Sequence, residues 1–350
     1  MIKVLVADDS ATIREYLRHI IDGDKKLKVV ATAKDGEEAV KLVQLKRPDV
    51  VSMDIHMPRM DGYEATRKIM ELHPVPIVIV SSTMDAKSVE KTFRALQAGA
   101  LTSLAKPEWL GRPESNRMAQ EIVETLKLMS EVKVVGRRPK FRKPEAAATT
   151  PPIIRVRPAP GKIELVAMGA STGGPPVIQS ILSSLPKDDF TASVLIVQHI
   201  ALGFLQGMVD WLHKETGFPI HIPAHGERIM GGKVYFAPDG HHMGVTEKGK
   251  IALSQAPQEY GVRPSISYLF RSVGDAYGKR AVGVLLTGMG RDGALELKTM
   301  KEKGAITLAQ DKESSVVHGM PGEAIKLGAA PHVCSPKEIA AFLSSLVNAG

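Results

Sequence analysis

The sequence predicts an α/β protein made of two doubly wound parallel-sheet domains. Three observations lead there. Short apolar runs alternate with amphipathic helical patterns over about the first 130 residues. The same alternation restarts near residue 161. Between them lies a basic, Pro- and Ala-rich stretch with no usable periodicity. Strands that alternate with helices build parallel sheets covered on both faces. A chain of 350 residues also exceeds one ordinary domain. The expected division is 1–125, a helix end and linker over 126–160, and 161–350.

In the first domain, "IKVLVAD" reads as a strand ending in acids, and Ser10 caps the helix "SATIREYLRHII". "LKVVATA", "PDVVSMD", "VPIVIVSS" and "ALTSLAKP" read as four further strands. "DGEEAVKLVQLK", "GYEATRKIMELH" and "KSVEKTFRALQAGA" read as helices, the last closed by Gly99. Met118, Ile122, Leu126 and Met129 stripe a final helix. The second domain opens with "KIELVAMG", followed by helix "PPVIQSILSSL", strand "ASVLIVQH" and helix "LGFLQGMVDWLHKE". Residues 218–255 are richer in Gly, Pro and His and read as inserted hairpins. Helix "SISYLFRSVGDAYG", strand "RAVGVLLTG", a helix near 293–303, strand "AITLAQ" and helices near 320–327 and 336–347 complete it.

Bulk properties narrow the function classes. Net charge is +8, but eight basic residues face two acidic ones over 131–160 alone. That concentration reads as a solvated linker rather than a DNA-binding arm, so no nucleic-acid partner is expected. No apolar run approaches the ~20 residues that cross a bilayer, and the N-terminus is not a secretory signal. One cysteine, Cys334, excludes an internal disulfide framework. The expectation is a cytoplasmic monomer without stable membrane insertion.

Chemistry-bearing residues fall at strand ends. In the first domain these are Asp8 and Asp9, Asp54, Ser81 and Lys106. Carboxyl ends of parallel strands share one edge, where ligands bind. Three crowded carboxylates repel unless a cation offsets them, and Mg²⁺ suits oxygen donors. In the second domain, "GASTGG" fails the dinucleotide pattern because Ser171 stands where Gly is needed, and it lacks the Lys of a phosphate loop. Ser171, on a strand-to-helix turn, His199 at the next strand end and Asp292 after "RAVGVLLTG" can meet on one edge as nucleophile, base and orienting acid. Thr172 caps the following helix or helps bind an oxyanion, and the sequence leaves both open. His241 and His242 follow "PDG", flank a turn and receive no role.

On "ADDS", "DIHMPRMDG", "VSS" and "AKP", the first half resembles a response-regulator receiver domain, implying a flavodoxin-like fold. The resemblance implies that Asp54 accepts a phosphoryl group from a histidine kinase. It places Mg²⁺ on Asp8, Asp9, Asp54 and the backbone carbonyl of His56, with Ser81 and Lys106 on the phosphoryl oxygens. Ser103 departs from the pattern, which carries Tyr or Phe three residues before the Lys. On "GASTGG", "VQH", "VRPSISYLF", "LLTGMGRDGA" and "VVHGMPGEAI", the second half resembles the chemotaxis protein-glutamate methylesterase catalytic domain. That implies a Rossmann-like three-layer fold with a β-hairpin insertion and a phosphorylation-activated esterase. It would demethylate glutamate esters on chemoreceptors, deamidate receptor glutamines and reset chemotaxis adaptation. The Met289 backbone N–H would donate to the oxyanion, and the hydrolysis would need no cofactor. The rival reading is a receiver joined to a nucleotide-binding sensor without hydrolase activity.

Overall fold

The computed structural model describes residues 1–81, 86–106, 113–132, 134 and 162–347. It divides into two units, Met1–Ala146 and Ala147–Gly350. Most of the basic linker expected over 126–160 lies outside the described residues.

The first unit alternates β1 (Ile2–Ala7), α1 (Ala11–Asp22), β2 (Leu27–Ala33), α2 (Gly36–Lys46), β3 (Val50–Met53), α3 (Gly62–Leu72), β4 (Ile77–Ser81), α4 (Ala86–Ala98), β5 (Thr102–Ala105) and α5 (Pro113–Ser130). Its sheet is parallel throughout, in the order β2-β1-β3-β4-β5. Strand residues Val4, Leu5, Val6, Val50, Val51, Ile77, Val78 and Ile79 are all buried, as continuous apolar runs in a sheet covered on both faces must be. Ser10, Asp35 and Asp61 cap α1, α2 and α3 by accepting from backbone N–H groups three residues on.

The second unit runs β6 (Leu165–Ala170), α6 (Gly174–Ser184), β7 (Ser193–Gln198), α7 (Leu205–Thr216), β8 (Ile220–His221), β9 (Val234–Phe236), β10 (His242–Val245), β11 (Ile251–Ser254), α8 (Ile266–Tyr277), β12 (Ala281–Leu285), α9 (Ala294–Glu302), β13 (Ile306–Gln310), α10 (Met320–Lys326), β14 (His332–Cys334) and α11 (Pro336–Val347). The main sheet has seven parallel strands in the order β14-β13-β12-β6-β7-β9-β8.

Residues 218–255 correct the sequence reading in part. Only β10 and β11 form an antiparallel hairpin. β8 and β9 instead extend the parallel sheet. Val234, Tyr235 and Phe236 are all fully buried, an apolar run suited to a covered strand rather than to a one-sided hairpin. β14 is an edge strand of three residues that its pattern did not reveal. Among the described residues, no helix is long and apolar enough to cross a membrane.

Both sheets have a switch point. The first unit reverses direction between β1 and β3, and the second at β6, with β7 on one side and β12 on the other. Crevices at the carboxyl ends of such strands are where open α/β sheets bind ligands.

Candidate active site

Ser171 follows β6 directly, and His199 follows β7. The two strands pair through Ala170 and Gln198, so the next residues leave the sheet side by side. The His199 N–H donates to the Ala170 carbonyl at 2.9 Å. On the other flank, the Ser171 N–H donates to the Thr287 carbonyl at 3.0 Å. Gly288 approaches so closely that a Cβ there would lie 2.6 Å from the Ser171 Cβ. The turn into α6 needs Gly173, whose φ of +78° is left-handed.

Asp292, 3% exposed, lies in the loop after β12. Its Oδ2 is 3.0 Å from His199 Nε2 and accepts the Ile266 N–H at 2.7 Å. Its Oδ1 accepts from Ser265 Oγ and from the Ser267 N–H, both at 2.9 Å. The carboxylate therefore sits on the N-terminus of α8, where backbone N–H groups and the helix dipole favour negative charge. Burial pushes its pKa up, but the His199 hydrogen bond and charge, with the Ser267 donors, outweigh burial and hold it below the usual carboxylate range.

With Nε2 facing the carboxylate, Nδ1 is the His199 nitrogen left for another partner. Among the described residues, Ser171 Oγ makes no hydrogen bond to it. The structure thus brings the acid to the imidazole and sets Ser171 on the neighbouring strand end, with no hydroxyl–imidazole hydrogen bond among the described residues. Such contacts are often long before substrate binds.

Met289 follows Gly288 and is 57% exposed. The residue before its N–H is tied down through both of its backbone groups. Gly288 N–H donates to Val317 at 2.9 Å, and the Gly288 carbonyl accepts from Gly319 and Met320 at 3.1 and 2.9 Å. No described residue accepts the Met289 N–H. The start of α6 is a poorer source of donors. Pro175 and Pro176 have no N–H, and Gly174 donates to the Ser171 carbonyl. Thr172 is not the cap, since Gly173 holds that position.

The first unit carries a second rim. Asp8 and Asp54, both buried, follow β1 and β3, and exposed Asp9 is beside them. The three carboxylates each bring an oxygen within 4.8 Å of the others. Lys106 Nζ lies 2.9 Å from Asp8 Oδ2 and 2.7 Å from Asp54 Oδ2. These are ion pairs by distance, yet neither Oδ2 accepts a well-directed hydrogen bond. Burial raises the Asp54 pKa despite Lys106, with repulsion from Asp8 added. Lys106 is itself raised, because attraction to Asp54 and Asp8 outweighs burial. Ser81 is fully buried, and among the described residues its hydroxyl has no hydrogen-bond partner. A hard divalent cation fits this oxygen set. His56 is exposed in the loop after β3, and Ser103 is buried in β5.

A model of the CheB methylesterase family matches residues 166–343, just over half of the chain, and a response regulator receiver domain model matches residues 4–112. The chain belongs to the CheB methylesterase family. It is a hydrolase with a receiver domain ahead of the methylesterase domain. A protein-glutamate methylesterase/protein-glutamine glutaminase of Geobacter metallireducens is 52% identical over 347 residues, covering 99% of both chains. A similarly named protein of Syntrophus aciditrophicus is 52% identical over 349 residues, covering 99% of this chain and 98% of its own. The crystal structure of the Thermotoga maritima CheB methylesterase catalytic domain aligns at 33% identity with a TM-score of 0.51, covering 53% of this chain and all of that one.

Sequence reasoning missed the donors that hold the methylesterase rim. Ser265 and Ser267 serve Asp292, and Ser267 Oγ also donates to Glu296 at 2.6 Å. Thr287 accepts from the Ser171 N–H, while its hydroxyl donates to the Thr172 carbonyl at 2.9 Å. The reach of the Ser265 hydroxyl across 27 residues to Asp292 leaves no local signal in the sequence.

Proposed function

We propose that the chain hydrolyses γ-methyl esters of glutamate residues in proteins, releasing methanol, and deamidates glutamines at the same site. Ser171 is the nucleophile, His199 the base and Asp292 the residue that orients and charges against His199. The observation that carries this reading is the 3.0 Å contact between His199 and a buried, fourfold-hydrogen-bonded Asp292, on the strand end next to Ser171. Ser171 Oγ attacks the ester carbonyl and passes its proton to His199 Nδ1. The carbonyl oxygen becomes an oxyanion that takes the Met289 N–H, and preorganised donors of this kind are worth about 3 kcal/mol. Collapse breaks the C–OCH₃ bond, and the imidazolium returns the proton to methoxide. Water, deprotonated by His199, then attacks the acyl-serine; the Oγ–acyl bond breaks, the imidazolium returns the proton to Ser171 Oγ, and the glutamate carboxylate leaves. Glutamine follows the same path with ammonia as the leaving group.

Control belongs to the receiver. In our reading, Asp54 takes a phosphoryl group from a histidine kinase, Ser81 and Lys106 hold its oxygens, and activity rises. Asp8, Asp9, Asp54 and the His56 carbonyl would hold Mg²⁺, which neutralises charge on the transferring group. The names of the relatives support glutamate esters and glutamines as substrates. Methylated chemoreceptors are the proteins we infer, met in the cytoplasm by a monomeric enzyme that resets chemotaxis adaptation. The test is methanol release from methylated receptor membranes, with and without acetyl phosphate and Mg²⁺. Ser171→Ala is expected to lower it by about 10⁴-fold or more. Release at the parent rate would remove the nucleophile from this scheme.

A further inference from the structure

One side chain touches the main chain of both Ser171 and His199. Gln198 ends β7 and is 5% exposed. Its Nε2 donates to the Ser171 carbonyl at 2.9 Å and to the His199 carbonyl at 2.8 Å. Both acceptors are carbonyls, so the amide must offer them its NH₂ group, and its orientation follows. Its Oε1 is then turned to the start of α6, where a Cβ on Gly174 would come within 2.1 Å of it. That buried oxygen has no hydrogen-bond partner among the described residues. An unsatisfied buried acceptor costs stability, and an apolar side chain of the same volume would avoid the cost. Filling space does not explain this glutamine.

Asp292 holds one side of the His199 ring, but Ser171 Oγ makes no hydrogen bond to His199 among the described residues, so the spacing between hydroxyl and imidazole is left to the main chain. Ladder pairing between β6 and β7 ends at Ala170 and Gln198. Beyond it the chains separate, one entering α6 and the other the loop to α7. Gln198 is the cross-link at that fork. We infer that Gln198 is a positioning residue that sets the distance and angle between the Ser171 hydroxyl and the His199 ring. The inference rests on the roles proposed above for those two residues.

The test uses the full chain with Mg²⁺ and acetyl phosphate. Gln198→Met keeps length and volume but loses both donors. Gln198→Glu keeps the shape but turns oxygen toward two carbonyls. Three quantities are measured: the rate at which a fluorophosphonate probe labels Ser171, kcat and KM for methanol release, and the melting temperature. In the folded Gln198→Met protein, labelling and kcat are expected to fall together by about 10²-fold, as a misplacement near 1 Å would cause. KM is expected to stay within about twofold, because uniform binding is untouched. Gln198→Glu should lose at least as much. Labelling within about threefold of the parent in folded Gln198→Met would overturn the inference, since a misaligned pair cannot react that fast. If Gln198→Met does not fold, Gln198→Glu decides by the same threshold. Failure of both to fold would overturn it too, leaving Gln198 a stability role alone. A parent that releases methanol without labelling at Ser171, or an active Ser171→Ala, would instead sink the nucleophile reading.

Discussion

The two sheets present the same kind of edge and opposite electrostatics. At the receiver rim, Asp8, Asp9 and Asp54 crowd within 4.8 Å, and Asp8 and Asp54 share one ammonium group. At the methylesterase rim, a single carboxylate takes four donors and one imidazole partner among them. Burial acts on Asp54 and Asp292 alike, pushing both pKa values up. It prevails at Asp54 and loses at Asp292. The direction of each shift is therefore set by the balance between burial and the donors aimed at the acid, not by burial alone. One rim crowds three carboxylates, two of them around a single ammonium group. The other surrounds its one carboxylate with four donors of its own.

The largest expected effect tests the self-sufficient rim. Asp292→Asn should lower kcat by about 10³- to 10⁴-fold, because the amide cannot stabilise the imidazolium or hold the required tautomer. Methanol release at saturating substrate reads it. A fall below about tenfold would mean that this carboxylate serves the fold only.

The same chemical change should have opposite signs at the two rims. Asp292→Asn is expected to cost about 2 kcal/mol, since an amide meets donors placed for a carboxylate. Asp54→Asn is expected to stabilise the first unit by relieving the burial of charge and the like-charge crowding, while Lys106 keeps Asp8 as a partner. Denaturant titration of each variant measures both, and equal signs would dissolve the contrast. Asp54→Asn should also abolish the response of methanol release to acetyl phosphate.

A smaller effect lies in pH. Asp292 has a depressed folded-state pKa, so its contribution is complete above the ordinary Asp range. It is lost as pH falls through that range toward the folded value. Asp54 is raised, so its contribution is present at and below the ordinary range and lost as pH rises through the folded value. Melting curves from pH 3 to 7, with signals assigned to each unit, should show the two trends crossing. In Asp292→Asn the acid loss of the second unit should be shallower than in the parent.

Much of this was readable from the chain. Period and length of the apolar runs give both parallel sheets, since a strand covered on two faces must be apolar throughout. Strand-end positions put Asp8, Asp54, Ser81 and Lys106 on one edge, and Ser171, His199 and Asp292 on another. The three-residue strand β14 is too short to show a period. Residues 220–236 join the sheet through the burial of Val234, Tyr235 and Phe236, which a Gly- and Pro-rich neighbourhood obscures. Nor did "PDG" followed by two histidines mark His242. It is fully buried, accepts the Ser265 N–H at 3.1 Å and is stacked on Tyr268.

By itself, the sequence determined which groups stand at the strand ends, because that follows from local periodicity and the direction of parallel strands. Tertiary structure alone decided which of them carry stable charge and how they are aimed. The start of α8 reaches Asp292, Thr287 reaches Ser171, and the Gln198 amide spans Ser171 and His199. These are directional hydrogen bonds, most between segments distant in sequence, made over about 3 Å. No composition or spacing encodes a distance that only the packing of helices on a sheet creates.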